Sequence, residues 1–334
     1  MNNKEKGKSS KLSRKLYDLK LKLHKKFQKN SLSKGGKRGS RRKADLFFCL
    51  TMIAYPVVQF IVFYVFVNIN SFLLAFKRYD PATNVFVYNG LDNLKNAFYM
   101  IFHEKVVKTA FMNSVWVYAL LQFVTTVISL FVTFFIFKKF PLAKFFKIIL
   151  FLPSIISSIV IVLVFSYFAD IAVPEIMQKI FSVKVKGLLL NPKTAFQTIL
   201  FYNIWYGLGG GMLLYLGAMN SIDGSVLESA QLEGVNSLQE FIYIVFPLIY
   251  PTFLTFMVTG LAGIFTNQIN LYTFYGGTAD YDYYTVGYYL YVGTLKGETN
   301  YPMMSMFGIL LTFIVVPLTF FGKWILEKIG PSEV

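Results

Sequence analysis

The chain has 334 residues, is 55% hydrophobic and has a mean hydropathy of +0.52, which excludes an ordinary water-soluble domain. Its formal charge of +16 is uneven: residues 1–43 hold 17 Lys and Arg against Glu5 and Asp18, and the remainder is nearly balanced. The charge therefore describes a tail rather than a nucleic-acid-binding fold. A single cysteine, Cys49, excludes an internal disulfide and a cysteine-type metal site. His24 and His103 lie in unrelated segments and read as solvated surface.

In chain order, residues 1–44 form a basic N-terminal tail. Leu12, Leu16, Leu19 and Leu23 recur at helical spacing among lysines over 11–27. This suits a basic amphipathic helix on anionic lipid, or equally a disordered topology anchor. Residues 30–43 read as a flexible linker. The basic region is too long, and the apolar run after it too extended, for a secretory signal peptide. Six segments then reach the roughly 20 apolar residues that span a bilayer: 45–68, 110–137, 145–168, 195–219, 248–271 and 303–326. Apart from Asp45, Lys147 and Lys323 close to their ends, none carries Asp, Glu, Lys or Arg.

Lysine and arginine bias sets the expected orientation. Lys37, Arg38, Arg41, Arg42 and Lys43 precede the first span, and Lys138, Lys139 and Lys144 fill the loop after the second. Both termini, including residues 327–334, are expected in the cytoplasm. The predicted fold is an all-α integral membrane protein of the plasma membrane, with a six-helix domain over 45–326. Outer loops near 69–109, 169–194 and 272–302 are too small for a separate domain. Tyr281, Tyr283, Tyr284, Tyr288, Tyr289 and Tyr291 crowd the last of them. They read as an interfacial aromatic belt more readily than as a surface for a binding protein.

The loop between the fourth and fifth spans, residues 221–247, is polar and carries two apparent capping boxes, Ser225 with Glu228 and Ser237 with Glu240. Gly234 suits the left-handed position that ends a helix, and Pro247 opens the next apolar run. The expectation is helix, Gly turn, helix, on the cytoplasmic side: a docking surface with Asp223, Glu228, Glu233 and Glu240 as its charges.

Glu228-Ser229-Ala230, three residues, Gly234, then Ile244-Val245-Phe246-Pro247 resembles the EAA loop of ABC importer permeases, Glu-Ala-Ala, three residues, Gly, nine residues, Ile-x-Leu-Pro. Ser229 and Phe246 depart from it. The resemblance to the carbohydrate (maltose and oligosaccharide) type runs from about 45 to 326. Further motifs are Gly90-Leu91-Asp92-Asn93, Asn113, Phe151-Leu152-Pro153, the group Trp205, Gly207, Met212, Leu213, Tyr215 and Leu216, and Asn267 followed by Gly276-Gly277. It implies that this loop, through Glu228, Ser229, Ala230, Gly234, Ile244 and Pro247, inserts into a groove of a cytoplasmic ATPase. It also implies a second permease subunit, two ATPase subunits, an extracytoplasmic sugar-binding protein and a mono- or oligosaccharide substrate.

No enzyme motif is present. Gly209-Gly210-Gly211 lacks the Lys and Ser/Thr of a phosphate-cradling loop and lies in an apolar run, where Gly207 and Gly211 suit close helix packing. ATP hydrolysis is expected on a separate chain, with no cofactor or metal here. Neutral amides and aromatic rings suit a sugar's hydroxyls and ring faces, so Asn203, Trp205, Asn267 and Asn270 are candidates for the substrate pathway. Asn267 and Asn270 are expected on one helical face. Helix packing or the membrane interface is the competing role for each. An ion-coupled secondary transporter or channel is the alternative function, but such proteins place ionisable groups within the membrane. A non-transporting scaffold would not need the loop spacing.

Overall fold

A computed structural model describes residues 35–331, with side chains from Asp45 onward. The segment 11–27 lies outside the described residues. Among the described residues, six helical runs are long and apolar enough to cross a membrane: Asp45–Leu74, Lys105–Phe137, Ser158–Phe181, Ala195–Asn220, Ser237–Ala262 and Glu298–Ile329. In a bilayer this is the expected solution, because a helix satisfies its own backbone polar groups. The chain divides into two units at Asn70 and Ser71.

In the first unit, α1 (Gly35–Gln59) continues through wider turns over Phe60–Phe66; α2 (Val67–Leu74) follows and spans the boundary between the units. Helix thus begins within the predicted linker. Gly35, Gly36 and Gly39 are poor helix formers, and only from Arg41 through Ala44 does local propensity favour helix running into the apolar segment.

The second unit opens with a hairpin of β1 (Lys77–Asp80) and β2 (Val85–Tyr88), then α3 (Asp92–His103). Buried Asn93 fastens them, its amide donating to the carbonyls of Ala75 (2.8 Å) and Lys77 (2.7 Å). Helix α4 (Lys105–Phe137) has 33 residues and contains neither Gly nor Pro, so it runs on for roughly 50 Å at 1.5 Å per residue. Left-handed Lys139 and Leu142 turn the chain into α5 (Ala143–Ile155).

The predicted third span is not one helix. The chain breaks at Ile156, which is extended, and restarts as α6 (Ser158–Tyr167), wider turns over Phe168–Ala172, and α7 (Val173–Phe181). Pro153 removes a helical donor, and the Ser154 hydroxyl bonds back to the Phe151 carbonyl (2.7 Å). Ser154, Ser157 and Ser158 are the only polar residues about this break, and the long apolar runs on either side conceal it. Half of the predicted outer loop at 169–194 is consequently helical.

Helix α8 (Ala195–Asn220) packs on α4 and α5 through its glycines. A methyl group on Gly207 would stand 3.2 Å from Thr125, and one on Gly211 3.3 Å from the Ser129 hydroxyl; both neighbours are on α4. On the opposite side, a methyl on Gly209 would meet the Leu150 carbonyl of α5 at 2.5 Å. The expected Gly207–Gly211 packing face is therefore real.

After α9 (Gly224–Leu232) and the short α10 (Ser237–Glu240), wider turns over Phe241–Val245 lead into α11 (Phe246–Ala262). The fifth run thus starts and stops earlier than 248–271. Gly263 ends it, and Ile269 and Asn270 adopt left-handed φ. Then come α12 (Leu271–Tyr275), α13 (Val286–Leu295) and α14 (Tyr301–Ile329).

The largest core cluster lies where α4, α6 and α8 meet residues 264–292, around Tyr202, Ile199, Ile269, Leu271 and Tyr288. Tyr283, Tyr284 and Tyr288 are buried in it, whereas Tyr281 and Tyr291 are exposed. Tyr283 donates to the Pro192 carbonyl (3.0 Å) and Tyr288 to that of Gly276 (2.8 Å). Much of the predicted aromatic belt is thus core: Tyr283 and Tyr288 each find a carbonyl for the hydroxyl, and Tyr284 packs edge-on against Tyr288 (4.8 Å). Burial also pushes the Tyr275 phenol up to about 12, keeping it a donor to the Leu189 carbonyl.

The glycine seam yields a paired test. Gly209→Ala must push α8 off a backbone carbonyl and should lower stability by about 1–3 kcal/mol. Gly210→Ala, whose new methyl has no neighbour within 4 Å, should be neutral or stabilising by up to about 1 kcal/mol. Thermal unfolding in detergent compares them directly.

Candidate functional site

The polar loop folds as helix, turn, helix, but with different caps from those the sequence suggests. Asp223, not Ser225, caps α9: its carboxylate accepts from the Ser225 N–H (3.0 Å). That bond, reinforced by the Ser225 hydroxyl, holds the Asp223 carboxyl below the usual range. Ser225 already lies within the helix and accepts at its carbonyl from the Ser229 hydroxyl (2.8 Å). Glu228 is exposed and Ala230 buried.

The turn is a Schellman motif. Gly234 has φ +76°, its N–H donates to the Gln231 carbonyl (3.1 Å), and Val235 N–H donates to that of Ala230 (3.2 Å). Nothing crowds the glycine; its backbone angle alone requires it. The second box forms one residue earlier than predicted, between Asn236 and Gln239, with reciprocal bonds of 2.9 and 3.0 Å. Asn caps as well as Ser, and Gln closes a box as well as Glu.

Glu240 is thereby released from capping. It is 2% exposed, and its two carboxylate oxygens accept from Lys138 Nζ at 3.0 and 2.8 Å. Next to it, Phe241 packs against Phe131 and Phe134 of α4, with ring centroids 5.2 and 5.0 Å apart. Ile244 is half-buried, and Pro247 lies in the first turn of α11, where its missing N–H costs nothing. Outward, the loop presents Glu228, Glu233, Leu232, Leu238 and Tyr243.

A second feature is a cavity of about 240 Å³ between α4 and the end of α11. Ser114, Tyr118 and Gln122 of α4 line it, facing Thr266, Asn267 and Thr285. Every polar group in this wall is neutral. The Gln122 amide lies over Gly260, where any side chain would collide with it, and donates to the Phe256 carbonyl (3.3 Å).

Of the four predicted pathway residues, Asn267 alone lines this cavity. It is exposed, and its side-chain oxygen accepts from Ile269 N–H (2.8 Å). Asn267 and Asn270 do not share a helical face, because the helix has ended before them. Asn270 instead donates to the Asn203 side-chain oxygen (3.1 Å), and Asn203 donates to the carbonyls of Ile199 (2.8 Å) and Ile269 (3.0 Å). This pair locks the turn onto α8. Trp205 is half-buried in an aromatic group with Phe165 and Tyr202, at 6.3 and 6.2 Å. The sequence reading missed Ser114, Tyr118 and Gln122, although their spacing of four marks one helical face.

Residues 109–332 match the model of the binding-protein-dependent transport system inner membrane component family. The chain belongs to that family and is a multi-pass membrane transport component. It is 22% identical over 289 residues to the arabinooligosaccharides transport system permease protein AraP of Bacillus subtilis, covering 82% of this chain and 89% of that one. It is 25% identical to the probable ABC transporter permease protein YurN of the same organism, over 66% and 77% of the two chains. A bacterial ABC transporter for import of the acidic polysaccharide alginate shares the fold, with a TM-score of 0.71 and 22% identity over 88% of this chain and all of that one. A second structure of an alginate ABC transporter, in complex with a pentasaccharide-bound periplasmic protein, superposes with a TM-score of 0.72 at 21% identity, over 88% and 99% of the chains.

The Asn203–Asn270 contact is testable as a coupling energy. Asn203→Ala, Asn270→Ala and the double variant should give a non-additive term of about 0.5–1.5 kcal/mol in a double-mutant cycle of unfolding. Purely additive losses would mean that the bond does not hold the turn.

Proposed function

We propose that this chain is one permease subunit of an ATP-driven importer of a neutral mono- or oligosaccharide. The observation that carries this reading is the folded helix–Schellman turn–helix at the Glu228–Gly234–Pro247 spacing, between two long apolar helices, in a member of this transport family. In this reading the loop docks on a separate cytoplasmic ATPase through Glu228, Ser229, Ala230, Gly234, Ile244 and Pro247. A second permease subunit completes the pathway, two ATPase subunits drive it, and an extracytoplasmic binding protein delivers the sugar. Both termini face the cytoplasm, and the basic tail of residues 1–44 holds that orientation.

The names of the relatives support a carbohydrate: arabinooligosaccharides for AraP, multiple sugars for MsmF of Streptococcus mutans and lactose for LacF of Rhizobium radiobacter. So does the cavity chemistry, with hydroxyls and amides for sugar hydroxyls and Tyr118 for a ring face. Asn267 contacts substrate, while Asn203, Trp205 and Asn270 hold the wall behind it. A proton-coupled mechanism would place an acid or base at this site; the lining has no carboxylate, lysine or histidine.

Two variants test the two halves of the reading. Gly234→Pro forces φ away from +76° and removes the N–H that closes the turn, so the ATPase should no longer co-purify with this subunit. Undiminished co-purification with full transport would refute docking at this turn. Asn267→Ala should reduce uptake of a radiolabelled neutral sugar about two- to tenfold, the loss of one hydrogen bond, with the complex intact. Unchanged uptake would assign Asn267 to the turn alone.

A further inference from the structure

We propose that Lys138 and Glu240 are positioning residues, whose ion pair makes α4 the rod that carries movement of the loop at 221–247 to the cavity and to the segment at 282–286. This rests on reading the loop as the ATPase-docking element.

The pair is unlike the other ion pairs among the described residues. Asp92–Lys95, Glu175–Lys179 and Lys323–Glu327 each lie within one helix and are largely exposed. Lys138–Glu240 joins two elements 102 residues apart, with side chains only 19% and 3% exposed. Lys139, Lys144 and Lys147, close by in sequence, are exposed. Lys138 sits at the C-terminal end of α4, where the helix dipole favours a cation. A buried carboxylate without this partner would be strongly disfavoured. Apolar residues of similar size would serve stability as well, so the specific contribution of the pair is directional. Two bonds from one ammonium tether the C-terminal end of α4 to α10. Phe241, wedged against Phe131 and Phe134, prevents the joint from sliding.

The remainder of α4 is built to transmit displacement. It has no Gly or Pro over 33 residues, so it lacks the usual sites of kinking. In its N-terminal half, Ser114, Tyr118 and Gln122 face the cavity. Near its far end the Asn113 amide donates to the carbonyls of Asp282 (2.8 Å) and Tyr284 (3.0 Å), and the Ser114 hydroxyl accepts from Val286 N–H (2.8 Å). One helix therefore touches the loop at its C-terminal end and, in its N-terminal half, both the cavity and residues 282–286.

The test uses the complex purified through a tag on this subunit and reconstituted in liposomes. A cysteine at Thr266, on the cavity wall, in a Cys49→Ser background reports cavity access through its labelling rate with a water-soluble maleimide. Addition of Mg-ATP and vanadate should change that rate at least fivefold with the native pair. With Glu240→Gln the ATPase should still co-purify and hydrolyse ATP, but the change should fall below twofold. The exchanged pair Lys138→Glu/Glu240→Lys should recover at least half of it. Lys138→Met/Glu240→Met should unfold at the native temperature and yet remain unresponsive, which a merely structural pair would not produce. A native-sized response in Glu240→Gln or in the double Met variant would overturn the proposal, as would loss of the ATPase from the Glu240→Gln complex. If no ATPase co-purifies with the native pair, the docking reading itself fails, and this outcome is separate from the others.

Discussion

The close approach of α8 to its two neighbours is the constraint on which the other features depend. In lipid there is little hydrophobic drive between helices, so contact must come from shape and small residues. Gly207 and Gly211 admit Thr125 and Ser129 of α4 on one side, while Gly209 admits the Leu150 carbonyl of α5 on the other. With these three helices in register, the far end of α8 places the polar loop beneath the last turn of α4. The same register brings the turn after α11 against α8 through Asn203 and Asn270.

Polar groups are then distributed by what each environment can satisfy. The cavity wall beside α4 is neutral, and its members bond to backbone or to one another: Asn267 to Ile269, Thr285 to the Asn267 carbonyl, Gln122 to the Phe256 carbonyl. The buried ion pair lies at the end of α4 instead, beside the exposed loop. A neutral lining suits a solute with many hydroxyls, whereas a fixed charge at the loop suits the holding of one geometry. The neutral cavity wall and the buried ion pair thus place two different side-chain chemistries along a single helix.

Much of this was legible in the sequence. Six apolar runs fix an all-helical membrane fold, because no other open structure satisfies its backbone in lipid. Gly234 was readable as a left-handed turn because only a local backbone requirement was at issue, and the Gly207–Gly211 seam because spacing of four is intrinsic to a helix. The cap registers were harder. Asp223, Ser225, Asn236 and Ser237 are all competent caps, and local chemistry ranks them nearly equally. The break at Ile156 and the early end of α11 were obscured because hydropathy averages over the few polar residues that cause them.

What tertiary structure alone decided are the partnerships between distant residues. Glu240 reads locally as half of a capping box, yet it is buried against Lys138, 102 residues away, a pairing to which no local pattern points. Lys138 reads as a topological charge and is also a structural one. Asn203 and Asn270 read as candidates for either the substrate pathway or helix packing, and they bind each other; Ser114, Tyr118 and Gln122 line a cavity only when α11 ends opposite them. Sequence determines which segments are helical and apolar, since propensity, capping and hydropathy act within a few residues. Which polar groups meet depends on how closely and at what angle the helices pack, and that is settled only when the whole bundle forms.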